Sequence, residues 1–198
     1  MKNAFFAIAL LFLPRYEAFA WGQEGHSIIA EIAQRRLSPA ALAAINQILG
    51  GEVSLASISS WADDVRDQRP ETYNWHFVDI PLNQTSYDQN LYCQDVPNRG
   101  DCVINAIERT RLMLADATAT NNPRAEALKF LVHFVGDVHQ PLHTVADNKG
   151  ENDLPVSFFT DPTSKRREMT NLHAVWDSGL IKNQFWDWGS YVQWIEDN

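Results

Sequence analysis

The stretch that decides the fold runs His133-Phe-Val-Gly-Asp137-Val-His139-Gln-Pro141-Leu-His143. His133 and Asp137 stand four residues apart, which on a helix places an imidazole and a carboxylate on one face, one turn apart. Pro141 has no N–H to donate and its ring clashes with the preceding turn, so the helix stops or kinks there and His143 leaves in a new direction. Two ligands on a rigid helix and a third just past the break can serve one metal ion and begin a second. For any single histidine a satisfied core position is the simpler reading. Matching pieces elsewhere in the chain tip the balance for the set.

The 198 residues, 45% apolar and 11% aromatic, suit one domain with a sizeable core. No repeat or low-complexity tract interrupts them. Lys2, the apolar run Ala4 to Leu13 and Ala18-Phe19-Ala20 read as a signal peptide over residues 1–20, cleaved ahead of Trp21. That run is too short to span a bilayer and no other candidate span follows, so an exported domain over 21–198, periplasmic or secreted, is expected. Loss of Lys2, Arg15 and Glu17 moves the formal charge from -9 to -10. Such acidity argues against tight electrostatic binding of duplex nucleic acid, which depends on many Lys and Arg contacts to phosphate. An anionic substrate would need a local positive centre, and bound metal can supply one. Cys93 and Cys102 lie in a polar stretch with Pro97 and Gly100; in an exported chain they read as a disulfide rather than a metal site or two free thiols. Asn83-Gln84-Thr85 is a glycosylation sequon, meaningful in a eukaryotic source.

Ile28, Ile29, Ile32 and Leu37 follow helical spacing after Trp-Gly-Gln-Glu-Gly-His26, and a second helix is expected between the Ser38-Pro39 start and the Gly50-Gly51 stop. Ser59 to Arg66 reads as a short helix in which Asp63 and Arg66 share a face. Tyr73 to Pro81, rich in aromatic and β-branched residues, reads as extended, with His76 on the side of Asn74 and Val78. A long helix is expected from Asp101 with Val103, Ile104, Ile107, Leu112 and Leu114 as its apolar face, and Asn121-Asn122-Pro123 breaks it and starts the helix of the central stretch. Ala146 to Glu151 reads as a polar turn, Leu154 to Phe159 as a short strand, and Asn171 to Asp177 supplies a second His/Asp pair at i and i+4. The expected class is mainly α with a few short extended segments.

Five of the six histidines stand in ligand-like contexts; His139 reads as structural or as a support to the others. Imidazole and carboxylate are what zinc takes when thiolate is absent. Two His-x-x-x-Asp pairs with His26, Asp63 and His76 exceed what one ion can use, so the count points to a cluster. The ordered set Trp-Gly-x-x-Gly-His26, Trp61-Ala-Asp63, Trp75-His76-Phe, His133-x3-Asp137-x5-His143 and Asn171-Leu-His173-x3-Asp177 resembles the exported zinc nucleases of the S1/P1 type, which share a helical fold with the bacterial zinc phospholipases C. The resemblance spans residues 21 to 181.

What it implies is three zinc ions: one on Asp63, His76, His133 and Asp137; a second on the amine and carbonyl of Trp21, His26 and a shared Asp137; a third on His143, His173 and Asp177. Signal cleavage would then create a ligand, because only a terminal amine can coordinate. The implied activity is hydrolysis of single-stranded DNA and RNA to 5′-phosphorylated products, with 3′-nucleotidase activity in addition. Two zincs sharing Asp137 would acidify a common water, Asp63 would orient it, and the third zinc would face the departing 3′ oxygen. Arg66, one turn from Asp63, is either a phosphate clamp, for which its planar fork is suited, or one half of a surface ion pair. The implied partner is a single-stranded nucleic acid or nucleotide, with no stable protein partner.

Two departures stand out. Glu151 occupies the place of a second glycine in the family's turn after His143, and the chain ends at Asn198, tens of residues before the family's usual end, so a melting temperature below that of a longer relative is expected. The rival readings are a zinc phospholipase C, disfavoured by Asp177 in place of Glu and by the long 143–173 interval, and an inactive zinc-binding relative.

Overall fold

A computed structural model describes residues 21–159, 166–184 and 187–198; the expected signal peptide lies outside the described residues. The chain is mainly helical. α1 (Gln23–Arg35) is followed by α2 (Pro39–Leu49), which begins with Ser38 accepting from Ala41 N–H and ends at Gly50 with φ +77°, the left-handed stop that glycine adopts freely. Two short helices, α3 (Leu55–Ile58) and α4 (Trp61–Val65), run into a 3₁₀ turn (Arg66–Gln68) and a 3₁₀ helix (Pro70–His76). After α5 (Gln89–Tyr92) come the two long helices α6 (Val103–Ala115) and α7 (Asn121–Asp137), which pack on each other. No described helix is long and apolar enough to cross a membrane.

The main core lies where α4, α6 and α7 meet. Phe130 and Phe134 of α7 stack at 5.2 Å, and Trp61 and Trp75 meet their edges. The Cys93–Cys102 disulfide forms as expected, with its sulfurs buried in this cluster, so the polar loop is pinned to the helix that begins at Val103. A smaller core joins Ile28 of α1 to Ile181 and to Val192 of the last helix, with Trp21 against it. α7 packs against α4 and α6 in the main core and also touches α1 and α2.

Two expectations change. Residues 73–76 are 3₁₀ helix rather than strand: Pro70 presets the first turn, Thr72 Oγ1 donates to Arg69 O, and Asn74 N–H and Nδ2 donate to the Arg99 and Gly100 carbonyls, so the backbone bonds go to a turn instead of a sheet. His76 consequently shares a face with Tyr73, three residues back, not with Asn74 and Val78. On α6 the buried face is Val103, Ala106 and Thr110, while Leu112 is 55% exposed. The small Ala106 admits the neighbouring α7, and Thr110 returns its hydroxyl to Ala106 O, so neither needed to look apolar to be inside. Finally, Leu154–Phe159 is a strand as expected, β1 (Pro155–Phe159), and it pairs antiparallel with β2 (Arg167–Asn171), whose charged sequence hid it.

Between His143 and β1 lies α8 (Asn148–Glu151), a single turn with positive φ throughout: Asn148 +46°, Lys149 +57°, Gly150 +64°, Glu151 +62°. Left-handed winding costs roughly 1–2 kcal/mol per residue that bears a Cβ. Gly150 has no alternative, because a Cβ there would stand 2.7 Å from Leu142 O. β2 leads into α9 (Leu172–Ala174), a π-helical turn (Val175–Gly179) and α10 (Leu180–Gln184), and α11 (Trp188–Asp197) packs back on α1.

Candidate metal centre

Asp137 is the last residue of α7, fully buried, and its two oxygens look in different directions. Oδ2 lies 3.0 Å from His76 Nδ1 and 3.2 Å from His133 Nε2. Oδ1 lies 3.2 Å from His26 Nε2. Asp63, from α4, completes the group with Oδ1 at 3.5 Å from both His76 Nδ1 and His133 Nε2. Four separate segments thus meet at one carboxylate. His26 stacks on His133 with ring centres 3.9 Å apart, which fixes both rings without a hydrogen bond between them.

A second group forms where the 3₁₀ turn Pro141–Thr144 meets the start of the last helical segment. His143 and His173 bring their Nε2 atoms to 3.2 Å, and Asp177 Oδ2 lies 3.4 Å from His173 Nε2. Asp177 sits in the π turn, whose wide winding is common where a helix must place a functional group. Its backbone oxygen accepts from Gly22 N–H at 2.7 Å, so the segment that begins at Trp21 is tied to this group.

Three of the histidines have their orientation set by backbone oxygens: Nδ1–H of His133 donates to Ser59 O at 2.7 Å, that of His143 to His76 O at 2.7 Å, and that of His173 to Gly150 O at 2.6 Å. Each donation leaves Nε2 as the ring nitrogen that faces its cluster. This is how metal-binding imidazoles are commonly held. His76 is the exception, with Nδ1 facing the cluster and Nε2 buried without a partner.

The electrostatics ask for cations. Burial pushes His143 down to about 4 and also lowers His173, so near neutral pH two bare lone pairs face each other at hydrogen-bond distance. Burial pushes Asp177 up to about 9, so without a cation it keeps its proton. In the first group, burial pulls against ionisation, yet the Asp137 and Asp63 charges hold His133 well above the ordinary imidazole range, and His133 holds Asp137 well below the carboxylate range. One proton there stands among ligand atoms enough for more charge. His26 Nε2, Asp63 Oδ1 and Asp137 Oδ1 are buried without a hydrogen bond. The orphaned atoms and the imidazole and carboxylate donor set fit a divalent metal ion. Three His/Asp groups can hold an ion: His26, Asp63 and His133; His76, His133 and Asp137; and His143, His173 and Asp177.

A family model described as S1/P1 Nuclease matches residues 21–196. The chain belongs to the S1/P1 nuclease family. It is 38% identical over 175 residues to Endonuclease 2 of Arabidopsis thaliana, covering 82% of this chain and 56% of that protein. Nuclease P1 of Penicillium citrinum is 37% identical over 164 residues, covering 80% of this chain and 57% of the relative. For Nuclease S1 of Aspergillus oryzae the identity is 31% over 166 residues, covering 82% and 55%. The chain therefore spans little more than half the length of these family members.

Of the residues singled out in the sequence, His26, Asp63, His76, His133, Asp137, His143, His173 and Asp177 come together as described. Trp21 packs its half-buried indole on the Ile28 and Ile181 cluster beside the start of α1. Arg66 is not a surface group: it is only 7% exposed, with its guanidinium 4.0 Å over the Tyr73 ring and Nη2 on Tyr73 O, because the 3₁₀ helix folds back across it. His139 is exposed in the turn just past α7, with Nδ1 on Val135 O, and takes no part. Sequence reasoning missed Gln140, which is fully buried and donates to Asp177. Its place inside the central stretch, immediately before Pro141, was the available signal.

Proposed function

We propose that this protein is an exported zinc-dependent phosphodiesterase that hydrolyses single-stranded DNA and RNA to 5′-phosphorylated products, with 3′-nucleotidase activity in addition. The observation that carries the reading is the shared Asp137, whose two oxygens face separate imidazole groups while a third His/Asp group stands beside them. Asp63, His76, His133 and Asp137 would hold one ion; the amine and carbonyl of a processed Trp21 with His26 and Asp137 a second; His143, His173 and Asp177 a third. When bound, the ions supply positive charge and Lewis acidity toward a phosphodiester in an otherwise acidic protein.

The chain's own groups orient the reaction. Asp63, whose Oδ1 lies 3.5 Å from both His76 Nδ1 and His133 Nε2, would orient the attacking water. Arg66, one turn from Asp63 and stacked on Tyr73, is the candidate phosphate clamp. Single-strand preference would come from unpaired bases stacking on aromatic rings, which a paired duplex cannot present.

The test is hydrolysis of a single-stranded oligonucleotide by zinc-loaded protein beginning at Trp21, with short-chain phosphatidylcholine as the parallel substrate. Cleavage of the oligonucleotide alone, leaving 5′-phosphates, is expected. Cleavage of the lipid alone, or bound zinc with no turnover of either, overturns the proposal.

A further inference from the structure

The His143, His173 and Asp177 group is built from two segments far apart in sequence, the turn that carries His143 and the continuous helical run that carries His173 and Asp177, and two devices join them. The first is Gln140. It has no exposure, its Nε2 donates to Asp177 Oδ1 at 2.6 Å, and its Oε1 accepts from Leu142 N–H at 2.6 Å. With Oδ1 engaged, Asp177 has Oδ2 left to face the imidazoles. One side chain therefore ties the carboxylate of the π turn to the backbone of the turn that carries His143.

The second device is α8. Its left-handed winding delivers Gly150 O to His173 Nδ1 at 2.6 Å. The turn is held on both sides: Asn148 Nδ2 donates to Glu151 Oε2 at 3.0 Å, Glu151 N–H to Asp147 O at 3.0 Å, and Leu82 N–H to Asp147 Oδ2 at 2.8 Å. Glu151 thus supplies a side-chain acceptor that glycine would lack, which answers what its presence does in this turn.

We propose that Gln140 is a positioning residue for this third ion, acting through Asp177, and that with the Gly150 carbonyl it fixes the ligands before any ion arrives. The inference rests on reading the clusters as zinc sites. Gln140 itself offers no free atom to an ion, since its amide is engaged at both ends.

The experiment is zinc titration against a chromophoric chelator, using the full mature chain and the variants Gln140→Leu and Gln140→Met. Both keep approximately the side-chain volume and remove the amide. The expected result is that one of the wild type's zinc sites weakens about 10- to 100-fold while the others keep their affinity. Equal weakening of all sites, or no change at any, overturns the positioning role. A wild type that takes up no zinc overturns the reading of the clusters instead. If both variants fail to fold, the wild type alone decides by NMR. A Gln140 side-chain amide protected from exchange in the chelated protein, and unmoved by zinc, supports preorganisation; an amide protected only after zinc addition refutes it.

Discussion

Replacing Asp137 by Asn keeps the volume of the side chain and removes its charge, and the structure sets how large the effect should be. Asp137 is fully buried and stands 3.0 to 3.2 Å from nitrogens of His26, His76 and His133. Among the described residues no other carboxylate reaches that close to any of the three; Asp63 is at 3.5 Å from two of them. Removing one partner of a buried, charge-compensated group costs about 3–5 kcal/mol, because the remaining charge has no water to turn to. For a domain of this length each kcal/mol lowers Tm by roughly 2–4 °C, so the chelated variant should melt about 6–20 °C below the chelated wild type. Zinc content should fall as well, since one carboxylate would serve two ions. Circular-dichroism melts in chelator, with metal analysis of zinc-loaded protein after gel filtration, read both. A variant that melts within a degree of wild type and retains its zinc would refute the shared-carboxylate account.

Other consequences follow from the same geometry. A residue left ahead of Trp21 should cost one zinc ion per chain by metal analysis, because an internal amide cannot coordinate as a terminal amine does; full zinc content would count against the Trp21 ligand. Without metal, the folded chain keeps a proton on Asp177 up to about 9 that the unfolded chain releases near the ordinary 3.8. His133 is likewise held protonated above the usual range. Both groups bind more protons folded than unfolded, so stability in chelator should fall from pH 7 to 9, by about 1 kcal/mol per unit from Asp177 alone, and zinc should abolish the slope; urea melts across that range decide it. Phe134→Ala, at a site with no exposure where two aromatic neighbours stack or meet edge-on, should lose about 3–5 kcal/mol in urea melts, with a loss under 1 kcal/mol speaking against the assigned core. Serine at both Cys93 and Cys102 should cost about 2–3 kcal/mol for so short a loop, again read by urea melts, and an unchanged midpoint would mean that the link is not structural.

The clustering of the histidines and aspartates was legible in the sequence because helical periodicity puts His133 and Asp137, and His173 and Asp177, on common faces whatever the rest of the fold does. The boundaries of α2 and the start of α7 were legible for a similar reason, since Ser38-Pro39, Gly50 and Asn121-Asn122-Pro123 act through their own backbone chemistry. What escaped were features decided by distant partners. The segment at Tyr73 has strand composition, but the carbonyls of Arg99 and Gly100 hold Asn74 in a turn. Arg66 looked like a surface charge until that turn folded over it. The carbonyls of Ser59, His76 and Gly150 carry no side-chain signature, so the support of three imidazoles could not be read from residue types. Gln140 lay in plain view within the central stretch, though nothing local says that a polar residue before Pro141 is buried.

The central claim is that these side chains form one cluster of three zinc ions joined through Asp137. Anomalous diffraction at the zinc edge, on crystals of protein beginning at Trp21, tests it most directly. The account predicts three peaks: two flanking Asp137, one toward His76 and His133 and the other toward His26, and a third among His143, His173 and Asp177. A single peak, or peaks away from these residues, would contradict it.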